Sequence, residues 1–296
     1  MIGRRGWLGG ALAASAAWPT HAAAGLAGLD EAFARIERRR GGRLGVAVSD
    51  TGSGETAYHR ADERFPMAST FKLLVAGAVL ARVDDGAERL DRRVALPRTG
   101  LVPWSPATEP RAARGEEMTV VALVEAMMTI SDNTATNLLL AAIGGPAGLT
   151  AFLRARLSDP VTRSDRDEPA MSEGRPGDAR DTSSPAAFLA SMRALTLGDA
   201  LTLSSRERLV LLMKANQTSP RLLRARLPLG WQVADRTGAA GHRTSNVVAL
   251  LWPPRRAEPV LLAAFLTEGP AERAERDAML VEVGAAVAAA LGAPME

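Results

Sequence analysis

The chain of 296 residues has no cysteine, a single tyrosine, and only two lysines, Lys72 and Lys214, among its 36 basic residues. Without cysteine there can be neither a disulfide framework nor a thiol nucleophile. Histidine is almost as scarce: His21, His59 and His242 lie far apart. None pairs with a nucleophile motif, and there is no G-x-S-x-G elbow. A serine–histidine relay and a histidine-based metal centre are therefore both disfavoured, and no metal or cofactor is expected. No apolar run in the body of the chain is long and clean enough for a membrane span. The formal charge is only +3. Clusters such as "ERRR" at 37–40 then read as solvated helix faces, and nucleic acid is not an expected partner.

What is present begins with "MIGRRGWLGGALAASAAWPTHAAAG", a basic start, a short apolar stretch and a small-residue end. Residues 1–24 read as an export signal, with Arg4-Arg5 hinting at the twin-arginine route. Removing them takes away two arginines and no acid, leaving a charge of +1. The expectation is an exported protein, periplasmic or secreted, free of the membrane after processing. A monomer is the default.

Strand-like patterns occur at both ends. "RLGVAVSDTGSGETAYHR" reads as a hairpin around a Gly/Ser turn, and "WQVADRTGAA", "NVVALLW" and "PVLLAAFLTE" follow Gly230. Between them, residues 66–215 are mostly helical runs, several opened by Ser, Thr, Asp or Asn. A polar, Pro/Gly-rich stretch from Ser158 to Pro185 interrupts the rhythm and is too long for a casual connector. The fold class is α/β (α+β). An antiparallel five-stranded sheet built from both termini, with flanking helices, forms one subdomain (25–65 and 216–296). An all-helical subdomain (66–215) lies beside it, and the site is expected in the cleft between.

The scarcity of lysine directs attention to "S69-T-F-K72". At helical spacing the Ser69 hydroxyl and Lys72 amine share a face, and the helix they open is apolar nearly all round. Burial favours the neutral form of a lysine, which arginine cannot imitate, and makes Lys72 a plausible partner for a serine nucleophile. Free N–H groups at the helix start suit an oxyanion. Taken alone, Ser-x-x-Lys recurs by chance in many helices.

Two further stretches, "S131-D132-N133" and "D235-R236-T237-G238", follow in order. Together the three resemble the motif set of the serine β-lactamase and penicillin-binding protein superfamily. The loop "RSDRDEP…DARDT" resembles the omega loop of class A β-lactamases (about 163–181), and the resemblance covers essentially the whole mature chain. It implies that Ser69 attacks the lactam carbonyl and forms an acyl-enzyme. The N–H groups of Ser69 and Ala239 would form the oxyanion hole. Lys72 would lie between Ser69 and Ser131, and Ser131 would protonate the departing nitrogen. Asn133 would bind the substrate's side-chain amide, while Arg236 and Thr237, beside Gly238, would bind its carboxylate. Glu168 would activate the deacylating water, Trp104 would wall the cleft, and Arg166–Asp181 would pin the loop's neck. Whether Lys72 or Glu168 takes the first proton is left open.

The sequence departs from that pattern in four places. Arg236 stands where lysine is usual. Ser172 replaces an asparagine that helps fix the deacylating water, and Asp167 replaces a common tryptophan. Ser245 occupies the position of an extra carboxylate-binding arginine; Arg243 and Arg221 lie nearby in sequence, and neither is assigned that role. Asp132 reads as structural, Asn216 equally as a cap or a supporting residue, and Lys214, His59 and His242 as surface groups. The implied activity is hydrolysis of penicillins and cephalosporins. The alternatives are a D-Ala-D-Ala peptidase or penicillin-binding protein, and a penicillin sensor that stays acylated.

Overall fold

Every residue from Val260 to Thr267 is buried, so the sheet holding this segment needs cover on both faces. Its side chains alternate accordingly: Leu261, Ala263 and Phe265 enter one core, and Val260, Leu262, Ala264 and Leu266 the other. The computed structural model describes residues 25–219 and 222–292. The expected export signal, with His21, and Arg221 fall outside the described residues.

Helix α1 (Leu29–Arg40) leads into the hairpin β1 (Arg43–Asp50) and β2 (Thr56–His59). After β3 (Phe65–Pro66), a 3-10 turn over Ala68–Phe71 runs directly into α2 (Lys72–Asp84). Next come β4 (Arg93–Ala95), α3 (Thr108–Ala113), β5 (Glu117–Thr119), α4 (Val120–Ile130), α5 (Asn133–Ala142) and α6 (Gly145–Leu157). A long loop containing β6 (Thr182–Ser183) precedes α7 (Pro185–Thr196) and α8 (Leu203–Lys214). Strands β7 (Gln232–Ala240), β8 (Thr244–Trp252) and β9 (Val260–Thr267) and the helix α9 (Arg273–Ala290) close the chain.

The main sheet has the order β2–β1–β9–β8–β7, antiparallel throughout. β1 pairs with β9 along its whole length, Val46 opposite Ala264, so the two ends of the chain form one sheet as expected. One face packs on α1 and α9 through Phe33, Met279, Leu280 and Val283. The other packs on the helical region, whose centre is α2, with Leu73 to Leu80 all buried. Each such leucine or valine contributes about 1.5–3 kcal/mol by leaving water. Side-chain caps from Thr119, Asp132, Ser184 and Thr202 start four of the helices.

Some details differ from the sequence expectation. The pairs β3–β6 and β4–β5 are too short to leave a periodic signal. Ser69 lies in the 3-10 turn rather than in the α-helix proper. His59 is not a surface group: its side chain is 16% exposed and its Nε2 lies 2.7 Å from Glu37, which also accepts from the Leu44 N–H. Lys214 is half-buried, donating to Gln232 and lying over the Trp252 ring.

Candidate active site

Three elements converge on Ser69. The first is its own turn, where Ala68 is buried in a left-handed conformation (φ 48°). Such a conformation is costly for a residue with a Cβ and persists only where packing imposes it. The second is the junction of α4 and α5. Ser131 ends α4 in the left-handed region (φ 65°), with its N–H donating to Ala126. Asp132 starts α5, its fully buried carboxylate accepting from Ala107, Thr108 and Ala135, which bears out its structural reading. The third is the free edge of β7. A Cβ on Gly238 would sit 3.0 Å from the Met67 carbonyl and the Ser69 nitrogen, so a side chain here would push the strand and the Ser69 turn apart by a few tenths of an ångström.

Lys72 is completely buried. Its amine donates to Ser131 Oγ and O at 3.0 Å and to Asn133 Oδ1 at 2.5 Å, and lies 3.2 Å from Glu168 Oε1. Ser131 Oγ in turn donates to Ser69 Oγ at 3.2 Å. Among the described hydrogen bonds Lys72 reaches Ser69 through Ser131 and not directly. Burial pulls the amine down from 10.5 to about 8, against the opposing pull of Glu168; the Arg236 charge lowers it further. Arg236, also fully buried, donates to Ser131 Oγ at 2.6 Å and to Thr218 Oγ1 at 3.2 Å. Burial lowers it to about 10, with Asp235 and Glu168 opposing, and it stays a cation at neutral pH.

Glu168 comes from the long loop. Its backbone is clamped by Asn137, which accepts from the Glu168 N–H at 2.9 Å and donates to its carbonyl at 2.8 Å. Its carboxylate faces Ser69 Oγ at 3.5 Å and accepts from Ser172 Oγ at 3.0 Å. At the loop's neck, Arg166 donates to Asp181 at 2.6 Å and to Glu173 at 2.8 Å. Asp181 also accepts from the N–H groups of residues 165 and 166, and its carbonyl accepts from Met67 N–H, tying the loop to the Ser69 turn. Asp167 is exposed beside this neck.

These groups line a cleft of about 600 Å³ together with Trp104, Asn133, Thr218, Thr237, Gly238, Ala239 and Ser245. Trp104 is 67% exposed and stands at the rim, with its indole N–H on the Ile130 carbonyl. Every site residue expected from sequence borders this cleft except Lys72 and Arg236, which lie beneath it. Thr218, Asn137 and Arg276 were not expected. Thr218 contacts Thr237 at 2.5 Å, and Arg276 reaches Ser245 Oγ from α9 at 3.4 Å. Arg243 lies exposed in the β7–β8 turn. No local motif announces Thr218 or Arg276, because both enter through tertiary packing.

A hydroxyl held by a second hydroxyl and a carboxylate, with an ammonium touching both of those, beside a strand edge, suits acyl transfer to serine with lysine and glutamate in the place of histidine. The comparisons agree. The family model described as the beta-lactamase enzyme family matches residues 28–291. The chain is 54% identical to a solved ancestral class A β-lactamase assigned to the last common ancestor of Gram-negative bacteria, over 88% of this chain and 99% of that one, with a TM-score of 0.86. It is 52% identical to a solved structure from Rhodopseudomonas palustris titled "Putative Class A Beta-Lactamase PenP", over 88% and 99% of the two chains, with a TM-score of 0.85. The chain belongs to the class A β-lactamase family. It is a hydrolase of the β-lactam amide bond, and the peptidase and sensor alternatives are not favoured.

Proposed function

We propose that hydrolysis runs through an acyl-enzyme on Ser69, with a closed proton circuit through Glu168, Lys72 and Ser131. Ser69 Oγ bonds to the lactam carbonyl carbon as its proton passes to Glu168 Oε1. The carbonyl electrons move onto oxygen, which the N–H groups of Ser69 and Ala239 would stabilise. As that oxygen collapses and the C–N bond breaks, Ser131 gives its proton to the nitrogen and regains one from Lys72. The 3.2 Å contact between Glu168 and Lys72 lets the carboxyl return a proton to the amine. Water deprotonated by Glu168, with Ser172 holding the carboxylate's other oxygen, then attacks the acyl carbon, and Ser69 leaves as a hydroxyl. Arg236 and Thr237 anchor the substrate carboxylate, Asn133 the side-chain amide, and Trp104 walls the entrance.

The observation that carries this reading is the unbroken set of contacts Glu168–Lys72–Ser131–Ser69, each between 3.0 and 3.5 Å. To the same proposal belong removal of residues 1–24 on export to the periplasm or medium, a monomeric enzyme, and division at 65/66 and 215/216. The test is the ratio of product to enzyme with a chromogenic cephalosporin. Wild type should give many equivalents of product and Ser69→Ala none. Glu168→Ala, lacking the base for both steps, should form the acyl-enzyme far more slowly than wild type and then stop near one equivalent with a mass adduct on Ser69. Wild-type turnover in either variant would remove that residue from its role.

A further inference from the structure

Behind the carboxylate end of the cleft lies a polar chain in which the Thr218 hydroxyl has two acceptors within reach, Asn216 Oδ1 at 2.8 Å and Thr237 Oγ1 at 2.5 Å. Asn216, 6% exposed at the end of α8, donates through Nδ2 to Asp235 Oδ1 at 3.1 Å. Asp235 is fully buried and also receives Ser219 Oγ and Arg224, each at 2.9 Å. A carboxylate facing these donors acts as an acceptor, so the amide orientation is fixed: nitrogen towards Asp235, oxygen towards Thr218. That oxygen accepts both the Thr218 N–H at 3.1 Å and the Thr218 hydroxyl at 2.8 Å. A threonine has one hydroxyl proton. With it given to Asn216, Thr218 Oγ1 can only accept, from Arg236 at 3.2 Å and from Thr237 at 2.5 Å. In that arrangement the Thr237 proton is directed at Thr218 and not at an anion in the cleft.

We propose that Asn216 is a positioning residue for substrate carboxylates. Its amide oxygen holds the Thr218 proton in the empty site and yields it to Thr237 when a carboxylate arrives, so that both hydroxyls turn together. Thr218 then donates to Thr237, Thr237 donates to the substrate, and the Asn216 oxygen keeps the Thr218 N–H. Only hydrogen bonds change. The exchange needs a weak, neutral acceptor at position 216, because a carboxylate there would not let the proton go. The proposal rests on the reading of Arg236 and Thr237 as the carboxylate anchor.

The test is Asn216→Asp, with penicillin KM measured from acid to alkaline pH as a ratio to wild type. The introduced carboxyl faces Asp235, and two carboxyls in contact share a proton at low pH. There the ratio should be near one; as that proton leaves, it should climb about tenfold, the size of one charge-assisted hydrogen bond, with kcat little changed. The same substitution in a Thr218→Val background should give a flat ratio to Thr218→Val alone, because the relay is gone. A flat ratio in the single variant overturns the proposal. So does a pH limb that persists in the double variant, which would mean that the added charge acts across space.

Thr237→Val separates the two readings. Unchanged KM there would sink the anchor itself, whereas raised KM with a flat Asn216→Asp ratio would sink only the relay. Should Asn216→Asp fail to fold, Thr218→Ser and Thr218→Val decide instead. Serine keeps wild-type KM, whereas valine, which removes the acceptor that draws the Thr237 proton from the substrate, lowers it; a valine KM equal to or above the serine value would overturn the proposal.

Discussion

Lys72 shows how one residue type can be required by position. An arginine there would stay charged and could not pass a proton to Ser131. The buried amine, lowered to about 8, is an ammonium at neutral pH yet gives up its proton readily. That makes it a donor in the proposed circuit rather than the first base, and fixes the sign of a pH effect. Below about pH 8 the amine is charged and can resupply Ser131; above it the charge is lost. The value of kcat/KM for a penicillin should therefore fall as pH rises through about 8, and Lys72→Arg should be inactive throughout. A rise through the same range would make the neutral amine the base instead. The scarcity of lysine drew attention to Lys72 in the sequence, and the Ser-x-x-Lys spacing together with the two later motifs set it apart from Lys214. Its lowered pKa was not readable there in any detail, because burial by α2, α4 and α5 and the nearby Arg236 charge come from segments far apart in the chain.

Among the elements, the long loop carries the most chemistry with the least regular structure. Its length and polarity made it visible in the sequence, and the resemblance suggested the Arg166–Asp181 pair. What could not be read is that Asp181 also gathers two backbone N–H groups and that its own carbonyl binds Met67, since hydrogen bonds between irregular segments have no periodicity. The same holds for the Asn137 clamp on Glu168, which joins a helix to the loop across 31 residues. Asp181→Asn keeps the shape but removes the charge facing Arg166, and one amide nitrogen must meet a donor. The cost should be about 3 kcal/mol, as for breaking other buried ion pairs. Because Glu168 follows Arg166 by two residues, the looser neck should slow release of the acyl group more than its formation. Thermal unfolding and burst amplitude check this together: a lower melting point with an enlarged burst is expected, and a wild-type value of both would show that the neck does not position Glu168.

At the scale of the whole molecule, the sheet made from both termini was legible because alternation and turn residues mark each strand, and β1 had no partner nearby except β2 and a late strand. The cleft could be anticipated as a junction of sheet and helices, but Thr218 in its lining and Arg276 beside Ser245 could not, since both arrive by packing. The same packing makes the active site a burden on the fold. Lys72 has a lower proton affinity folded than unfolded, about 8 against 10.5, so the unfolded chain binds more protons between those values. Stability must then rise with pH across that window, by about 3 kcal/mol for this group taken alone, and the penalty is present in full below pH 8. Lys72→Met has no such group. Urea unfolding of both proteins from pH 8 to 10 should show wild type gaining on the variant as pH increases. A constant difference would mean that the folded protein keeps the ammonium charged as firmly as water does, and that the proposed circuit lacks a readily released proton at its centre.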